Sequence, residues 1–251
     1  MKGVILAGGT GSRLFPLTKV TNKHLLPVYD RPMIYYPLEC MAKAGIEEVL
    51  LVTGGNNAGD FIRLLGNGRE FGFKDLNYTY QEGAGGIAQA LGLAEHFAEG
   101  GSICLILGDN IVEYTIRESV KRFRHQGQGA KVLLSQVENP KAYGVAEMQG
   151  EQVVKIVEKP REPRSNWAVI GIYFYDAQVF DIVKTLKPSA RNELEITDVN
   201  NEYIRRGEMT ADTVAGWWGD AGENIDFYLK ACNMVAQTGA NKEPLAAPPA
   251  R

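Results

Sequence analysis

Residues 3–28, GVILAGGTGSRLFPLTKVTNKHLLPV, decide how the rest of the chain is read. The apolar run Val4-Ile5-Leu6 leads through Ala7 into Gly8-Gly9-Thr10-Gly11-Ser12-Arg13, and Lys23 follows ten residues after Arg13. An apolar run ahead of clustered glycines reads as a buried strand feeding a loop nearly free of side chains. Backbone N–H groups in such a loop close on an anion without steric obstruction. Arg13 and Lys23 add full positive charge beside those dipoles. The combination, from Leu6 through Ser12 with the two cations, suits a triphosphate.

Two look-alikes are excluded by spacing. A Walker-type loop needs glycine, four residues and then Gly-Lys-Ser/Thr, and no such run occurs. The dinucleotide fingerprint needs a third glycine where this chain has Leu14. A tight turn that binds nothing rarely gathers three glycines and two cations.

Composition narrows the partners. The 251 residues are 45% hydrophobic and 23% charged, as in a soluble globule with a substantial core. Net charge is −3, which argues against a nucleic-acid backbone or an acidic membrane surface as partner. Cys40, Cys104 and Cys232 lie far apart, form no metal spacing and fit a reducing cytoplasm. Cys104, in an apolar run, reads as a small buried hydrophobe. No apolar stretch is long enough to cross a bilayer, and no leader pattern opens the chain.

Strand-like and helical runs alternate. Val4–Leu6, Val49–Thr53, Tyr78–Gln81 and Ser102–Leu107 read as strands; Ile34–Ala44, Asp60–Leu65 and Ile87–Phe97 read as helices. That order predicts an α/β fold, a Rossmann-like, mostly parallel sheet flanked by helices, with ligands beyond the carboxyl ends of the strands. The glycine loop, Gln81 and Asp109 all fall at such ends. After residue 128 the strands shorten: Lys131–Val137, Val145–Met148, Val153–Glu158 and Val169–Tyr175 suggest a smaller antiparallel part. Leu194–Arg206 returns to a helical pattern. One domain is expected over 1–240, with a nucleotide-binding half (1–128) and a second-substrate half (129–240); the Pro/Ala-rich segment 241–251 reads as a disordered tail.

With these motifs assembled, the chain resembles the sugar-1-phosphate nucleotidylyltransferases, in their short form. The resemblance is carried by LAGGTGSRL at 6–14, NKHLLPVYDRPMIYYPL at 22–38, GGIAQAL at 85–91, LGDN at 107–110, YGVAE at 143–147, EKPREP at 158–163, AVIGIYFYD at 168–176, ELEITDVN at 193–200 and WWGDAG at 217–222. The chain departs from the family pattern in lacking a proline before Gly85-Gly86 and in carrying Ala221 after Asp220. The short form lacks the C-terminal helices that build a subunit interface and a regulatory site in longer members, so a homo-oligomer is left open.

The resemblance implies the nucleotide-diphospho-sugar transferase fold and a cytoplasmic enzyme of nucleotide-sugar supply. It would join dTTP, or UTP, to glucose 1-phosphate with Mg²⁺ and release pyrophosphate. Because the attacking phosphate is already an anion, the task is to neutralise crowded charge. Asp109 and Asp220 would hold the Mg²⁺, whose hard-oxygen preference they suit. Arg13 would grip the β- and γ-phosphates and Lys23 the leaving pyrophosphate. Lys159 would meet the sugar phosphate. Gln81 and the Gly86 backbone would read the pyrimidine. Tyr143, Gly144, Glu158 and Val169 match sugar-binding positions, joined by Asn110, Arg191 and Trp218. His24, His96 and His125 do not cluster; surface or helix-side positions are expected for them, with no catalytic or metal role. Tyr35, Tyr36, Tyr173, Phe174 and Tyr175 read as core. Two other functions compete. A nucleotide-sugar-dependent glycosyltransferase would have less need of the Arg13–Lys23 arrangement, and a non-catalytic sensor would have less need of the intact charged set.

Overall fold

The computed structural model describes residues 1–9 and 11–244. In chain order the elements are β1 (Lys2–Ala7), β2 (Pro27–Val28), β3 (Arg31–Pro32), α1 (Tyr35–Lys43), β4 (Glu48–Gly54), α2 (Ala58–Leu65) and β5 (Asp75–Gln81). Then come α3 (Ile87–Gly92), α4 (Glu95–Ala98), β6 (Ile103–Leu107), β7 (Asn110–Val112), α5 (Arg117–Gln126) and β8 (Ala130–Gln136). The remainder is β9 (Gly144–Gln149), β10 (Gln152–Glu158), β11 (Trp167–Tyr175), α6 (Gln178–Thr185), α7 (Ile196–Arg206), β12 (Met209–Thr213), β13 (Trp218–Asp220) and α8 (Ile225–Thr238).

Four strands, in the order β6-β1-β4-β5, run parallel and form the heart of the main sheet. The inner three, β6, β1 and β4, are bare of charge where they cross the interior, because helices cover both faces; β5 is an edge strand and partly exposed. Alternation along β1 shows this: Val4 and Leu6 enter one core, Ile5 and Ala7 the other. The first core is closed by α3, α6 and α7 through Leu91, Phe180 and Val199. The second is closed by α1, α2 and α5 through Leu38, Phe61 and Phe123.

The antiparallel part is continuous with this sheet. β11 pairs antiparallel with β6 through Ile172–Tyr175, with β8 along its other edge, and with β9 through Ala168 and Val169. Strands β8 to β12 are therefore a lateral extension of the parallel sheet. Gly144 of β9, Glu158 of β10 and Val169 of β11 face the cleft at the ends of the parallel strands.

Several elements differ from the sequence reading. The helix expected over Ile87–Phe97 is two helices. Gly92 ends the first, and a Cβ there would stand 3.3 Å from Val183 Cγ1, so the glycine that weakens the helix also lets α6 close on it. Helices α5, α6 and α8 have no counterpart in that reading. α5 is mostly charged and buries only Ser119, Val120 and Phe123, so its apolar face is too thin to stand out. Asn241 and Lys242, expected to open a disordered tail, are held by the rest of the chain. Asn241 is 1% exposed, and its Nδ2 donates to the Tyr36 carbonyl at 2.9 Å. Lys242 Nζ lies 2.7 Å from Glu113 Oε1. Residues 245–251 fall outside the described ones. Among the described residues no helix is long and apolar enough to cross a membrane.

Candidate active site

A cleft of about 360 Å³ opens where the parallel strands end. It gathers Leu6 near the end of β1 with Gly8, Gly9 and Arg13 beyond it, Gln81 at the end of β5 with Gly86 beyond it, and Asp109 after β6. Lys23, Asn110, Tyr143, Gly144, Glu158, Lys159, Val169, Arg191, Trp218 and Asp220 line the same cleft. Three expected positions do not line it. Ala7 is fully buried beneath, its carbonyl accepting from Asn22 Nδ2 at 3.3 Å; Gly11 and Ser12 lie outside the lining. Thr10 is outside the described residues.

The glycine loop has a fixed root. Gly11 takes φ 62°, and its carbonyl accepts from Thr18 Oγ1 at 2.8 Å. A Cβ there would meet Thr18 at 2.9 Å, so both conformation and space require glycine. Lys23 is fixed by its neighbours. Asn22 accepts from the His24 backbone N–H at 2.9 Å, and His24 Nδ1 lies 2.8 Å from the same oxygen. His24 is thus 2% exposed, contrary to the surface position expected from sequence. Burial, reinforced by the Lys23 charge, pushes its pKa down to about 3, so the ring is neutral. Its ring packs on Gly108, where a Cβ would come within 2.7 Å of Cδ2. That close approach sets Asp109 beside Lys23, and the two form an ion pair.

Asp220 reaches the same place from the other end of the chain. β13 pairs antiparallel with β7 so that Asp220 stands opposite Asn110, and Ala221 N donates to the Asp109 carbonyl at 2.9 Å. Asn110 ties the walls together. Its Nδ2 donates to Asp109 Oδ1 at 3.0 Å, while its Oδ1 accepts from Gly171 N at 2.9 Å and Trp218 Nε1 at 2.7 Å. Trp218 in turn meets Tyr143 edge-on, with ring centres 5.1 Å apart.

The two carboxylates titrate apart. For Asp109, burial works against ionisation, but the Lys23 ammonium and the hydrogen bonds from Lys23 and Asn110 hold it well below the usual carboxylate range. For Asp220, burial and then the Asp109 charge push it up to about 7. The pair therefore holds more negative charge than its protein surroundings neutralise. Hard carboxylate oxygens under that repulsion fit a Mg²⁺ that keeps several waters and completes its shell with substrate phosphates. Among the described residues no group of three or more His, Cys, Asp or Glu is arranged to cage a metal by itself.

This arrangement predicts an inverted stability effect. The folded-state pKa of Asp220, about 7, lies above its ordinary 3.8. Between those values the folded chain binds more proton than the unfolded one, so the contribution of Asp220 to stability falls as pH rises from about 4 to 7. Asp220→Asn should therefore be more stable than the parent at pH 8. The advantage should shrink as pH falls from about 7 toward 4, where Asp220 takes up its proton in the folded chain first. Denaturant melts at both pH values without divalent cation check this; a variant weaker than the parent at pH 8 contradicts it.

On the opposite side of the cleft, Glu158 ends β10. Its Oε2 accepts from Thr197 Oγ1 at 2.7 Å, and Arg191 lies 3.4 Å from Oε1. Lys159 follows with φ 42°, its backbone N donating to the Tyr143 carbonyl at 3.0 Å. Gln81 is 8% exposed, and its Nε2 donates to Gln89 Oε1 at 2.8 Å and the Gly86 carbonyl at 3.2 Å. Gly86, at φ 95°, sits so close to Leu194 that a Cβ would lie 2.5 Å from its carbonyl oxygen.

Sequence reading missed His24, Thr197, Gly222 and Glu223. Thr197 and Gly222 lie in or beside quoted motifs with nothing to distinguish them from turn or helix residues. Glu223 pairs with Arg13, a contact spanning 210 positions that no local pattern announces.

The chain is similar to several known proteins. The family described as Nucleotidyl transferase matches residues 2–238. A glucose-1-phosphate thymidylyltransferase of Neisseria meningitidis is 45% identical over 92% of this chain and 81% of its own. One from Mycobacterium tuberculosis is 43% identical over 94% and 82%. Among solved structures, a Bacillus anthracis protein provisionally named a glucose-1-phosphate thymidylyltransferase, crystallised with sucrose, superposes with TM-score 0.90 at 50% identity, covering 94% of this chain and 96% of that one. A UDP-glucose pyrophosphorylase bound to UDP-glucose gives TM-score 0.81 at 26% identity over 94% and 98%.

Proposed function

The chain belongs to the nucleotidyl transferase family, and on that premise we propose that it joins dTTP to glucose 1-phosphate, giving dTDP-glucose and pyrophosphate. One observation carries the reading. Lys23, Arg13, Asp109 and Asp220 meet in a single cleft that also holds Gln81 on one side and Glu158 with Lys159 on the other. Two anionic substrates can lie there end to end.

In this reading a phosphate oxygen of the sugar forms a bond to the α-phosphorus as the bond to the β-phosphate oxygen breaks. Bound at Asp109 and Asp220, Mg²⁺ would supply charge neutralisation at the phosphates. Lys23 and Arg13 take up the charge that collects on the leaving pyrophosphate, and Lys159 orients the incoming sugar phosphate. His24 stays neutral and buried, so it supports Lys23 without sharing in proton transfer. Glu158 accepts from sugar hydroxyls, with Thr197 fixing its carboxylate. Because Gln81 Nε2 is engaged by Gln89 and Gly86, its Oε1 is left to accept the imide N–H common to thymine and uracil. Residues 1–128 hold the nucleotide and 129–240 the sugar, with the Asp109–Asp220 pair at the seam.

The preference for dTTP over UTP rests on the thymidylyltransferases at 43–45% identity against the pyrophosphorylase at 26%. The test is a substrate matrix. With Mg²⁺ and glucose 1-phosphate, dTTP should give the highest kcat/KM for pyrophosphate release, with UTP next. A UTP rate above that of dTTP would change the assigned base, and absence of release in every pairing would remove the activity.

A further inference from the structure

Both cations assigned to the triphosphate are engaged by carboxylates, but in different ways. The side chains of Lys23 and Asp109 are 13% and 11% exposed and stand on the floor built by Asn22 and His24. Arg13 Nη1 meets Glu223 Oε2 at the rim of the cleft, which both residues line. The Arg13 side chain is 53% exposed and stands in the short turn Ser12–Leu14 that follows Gly11 (φ 62°). Glu223 is 18% exposed and stands on fixed ground. Before it, Gly222 N donates to Asp220 Oδ1 at 2.9 Å; after it, Asn224 caps α8 by accepting from Phe227 N at 3.0 Å.

We propose that Glu223 is a positioning residue that occupies the phosphate-binding face of Arg13 until the nucleotide displaces it, and that reclaims Arg13 as pyrophosphate leaves. The inference rests on the nucleotidyl-transfer reading of the cleft. A carboxylate and a phosphate oxygen are alternative partners for one guanidinium fork. The arriving triphosphate must therefore break one charged contact to make another. Since the arginine is more than half exposed, that exchange weakens affinity only about two- to fivefold. As pyrophosphate leaves, the freed Glu223 carboxylate competes with it for Arg13. The same residue thus slackens nucleotide capture and hastens product exit.

Glu223→Gln keeps the shape and removes the charge. Its KM for dTTP and its inhibition constant for pyrophosphate should both fall two- to fivefold, with the KM for glucose 1-phosphate unchanged. In an Arg13→Ala background the same substitution should change neither. Calorimetric titration of magnesium pyrophosphate reads the effect without turnover, so failure of the proposed reaction would be seen separately from failure of this inference. A contact serving only to brace the loop would lower the melting temperature and leave pyrophosphate binding where it was. Unchanged or weaker pyrophosphate binding in folded Glu223→Gln overturns the proposal; Glu223→Ser gives the same reading should the glutamine variant not fold.

Discussion

Asp109→Asn is expected to lower turnover about a thousandfold while the chain still folds. A carboxylate that helps hold a divalent cation against transferring phosphates contributes several kcal/mol in the transition state, and about 4 kcal/mol corresponds to that factor. Asparagine keeps the size of the side chain, and its carbonyl can still accept from Lys23, so the buried ammonium is not left without a partner. The loss should therefore appear in kcat and in the Mg²⁺ requirement; the melting temperature falls as well, because buried Lys23 loses its counter-ion, but a cooperative unfolding transition remains. Steady-state kinetics across a Mg²⁺ titration, paired with a thermal melt, separates the two. Near-parental turnover with an unchanged Mg²⁺ dependence would remove Asp109 from the metal site.

Gly222→Ala should cost at least a hundredfold in kcat, although residue 222 touches no substrate in the proposed mechanism. A Cβ at this position would lie 2.1 Å from Asp109 Oδ2 and 2.6 Å from Lys23 Nζ. Asp109 is short and 8% exposed, with its other oxygen held by Asn110, so it cannot swing aside without leaving its place. Displacement of a catalytic group by about 1 Å costs on the order of 10²-fold. The backbone at Gly222 is not in the left-handed region, so alanine is tolerated conformationally and the fold should survive. Gly219→Ala serves as the control. Its nearest contact would be Ala231 Cβ at 3.7 Å, ordinary packing that should leave kcat within twofold of the parent. Equal rates for the two variants would mean that the Lys23–Asp109 pair moves freely.

The parallel core was legible because its inner strands β6, β1 and β4 are buried on both faces and so read as apolar runs, Val4–Leu6 and Ser102–Leu107 among them. The amphipathic helices α6 and α8 and the polar α5 were not legible in the same way: their short or interrupted apolar faces bury against elements far along the chain. The candidate cleft was legible where chemistry is written into composition, as in a glycine loop followed by two cations or an aspartate directly after a strand. It was illegible where the requirement is a distance between remote positions.

By itself the sequence determined which groups are available: amides free of side chains, Arg13 and Lys23, acids at 109 and 220, and the alternation that builds a layered sheet. Only the tertiary structure decided how they are used. It buried His24 beneath the loop, set Lys23 against Asp109, lodged Gly222 where no methyl group fits and brought Glu223 onto Arg13. Charge and hydrophobicity belong to each residue wherever it sits. Pairing, desolvation and close approach belong to neighbours, which the chain acquires only on folding.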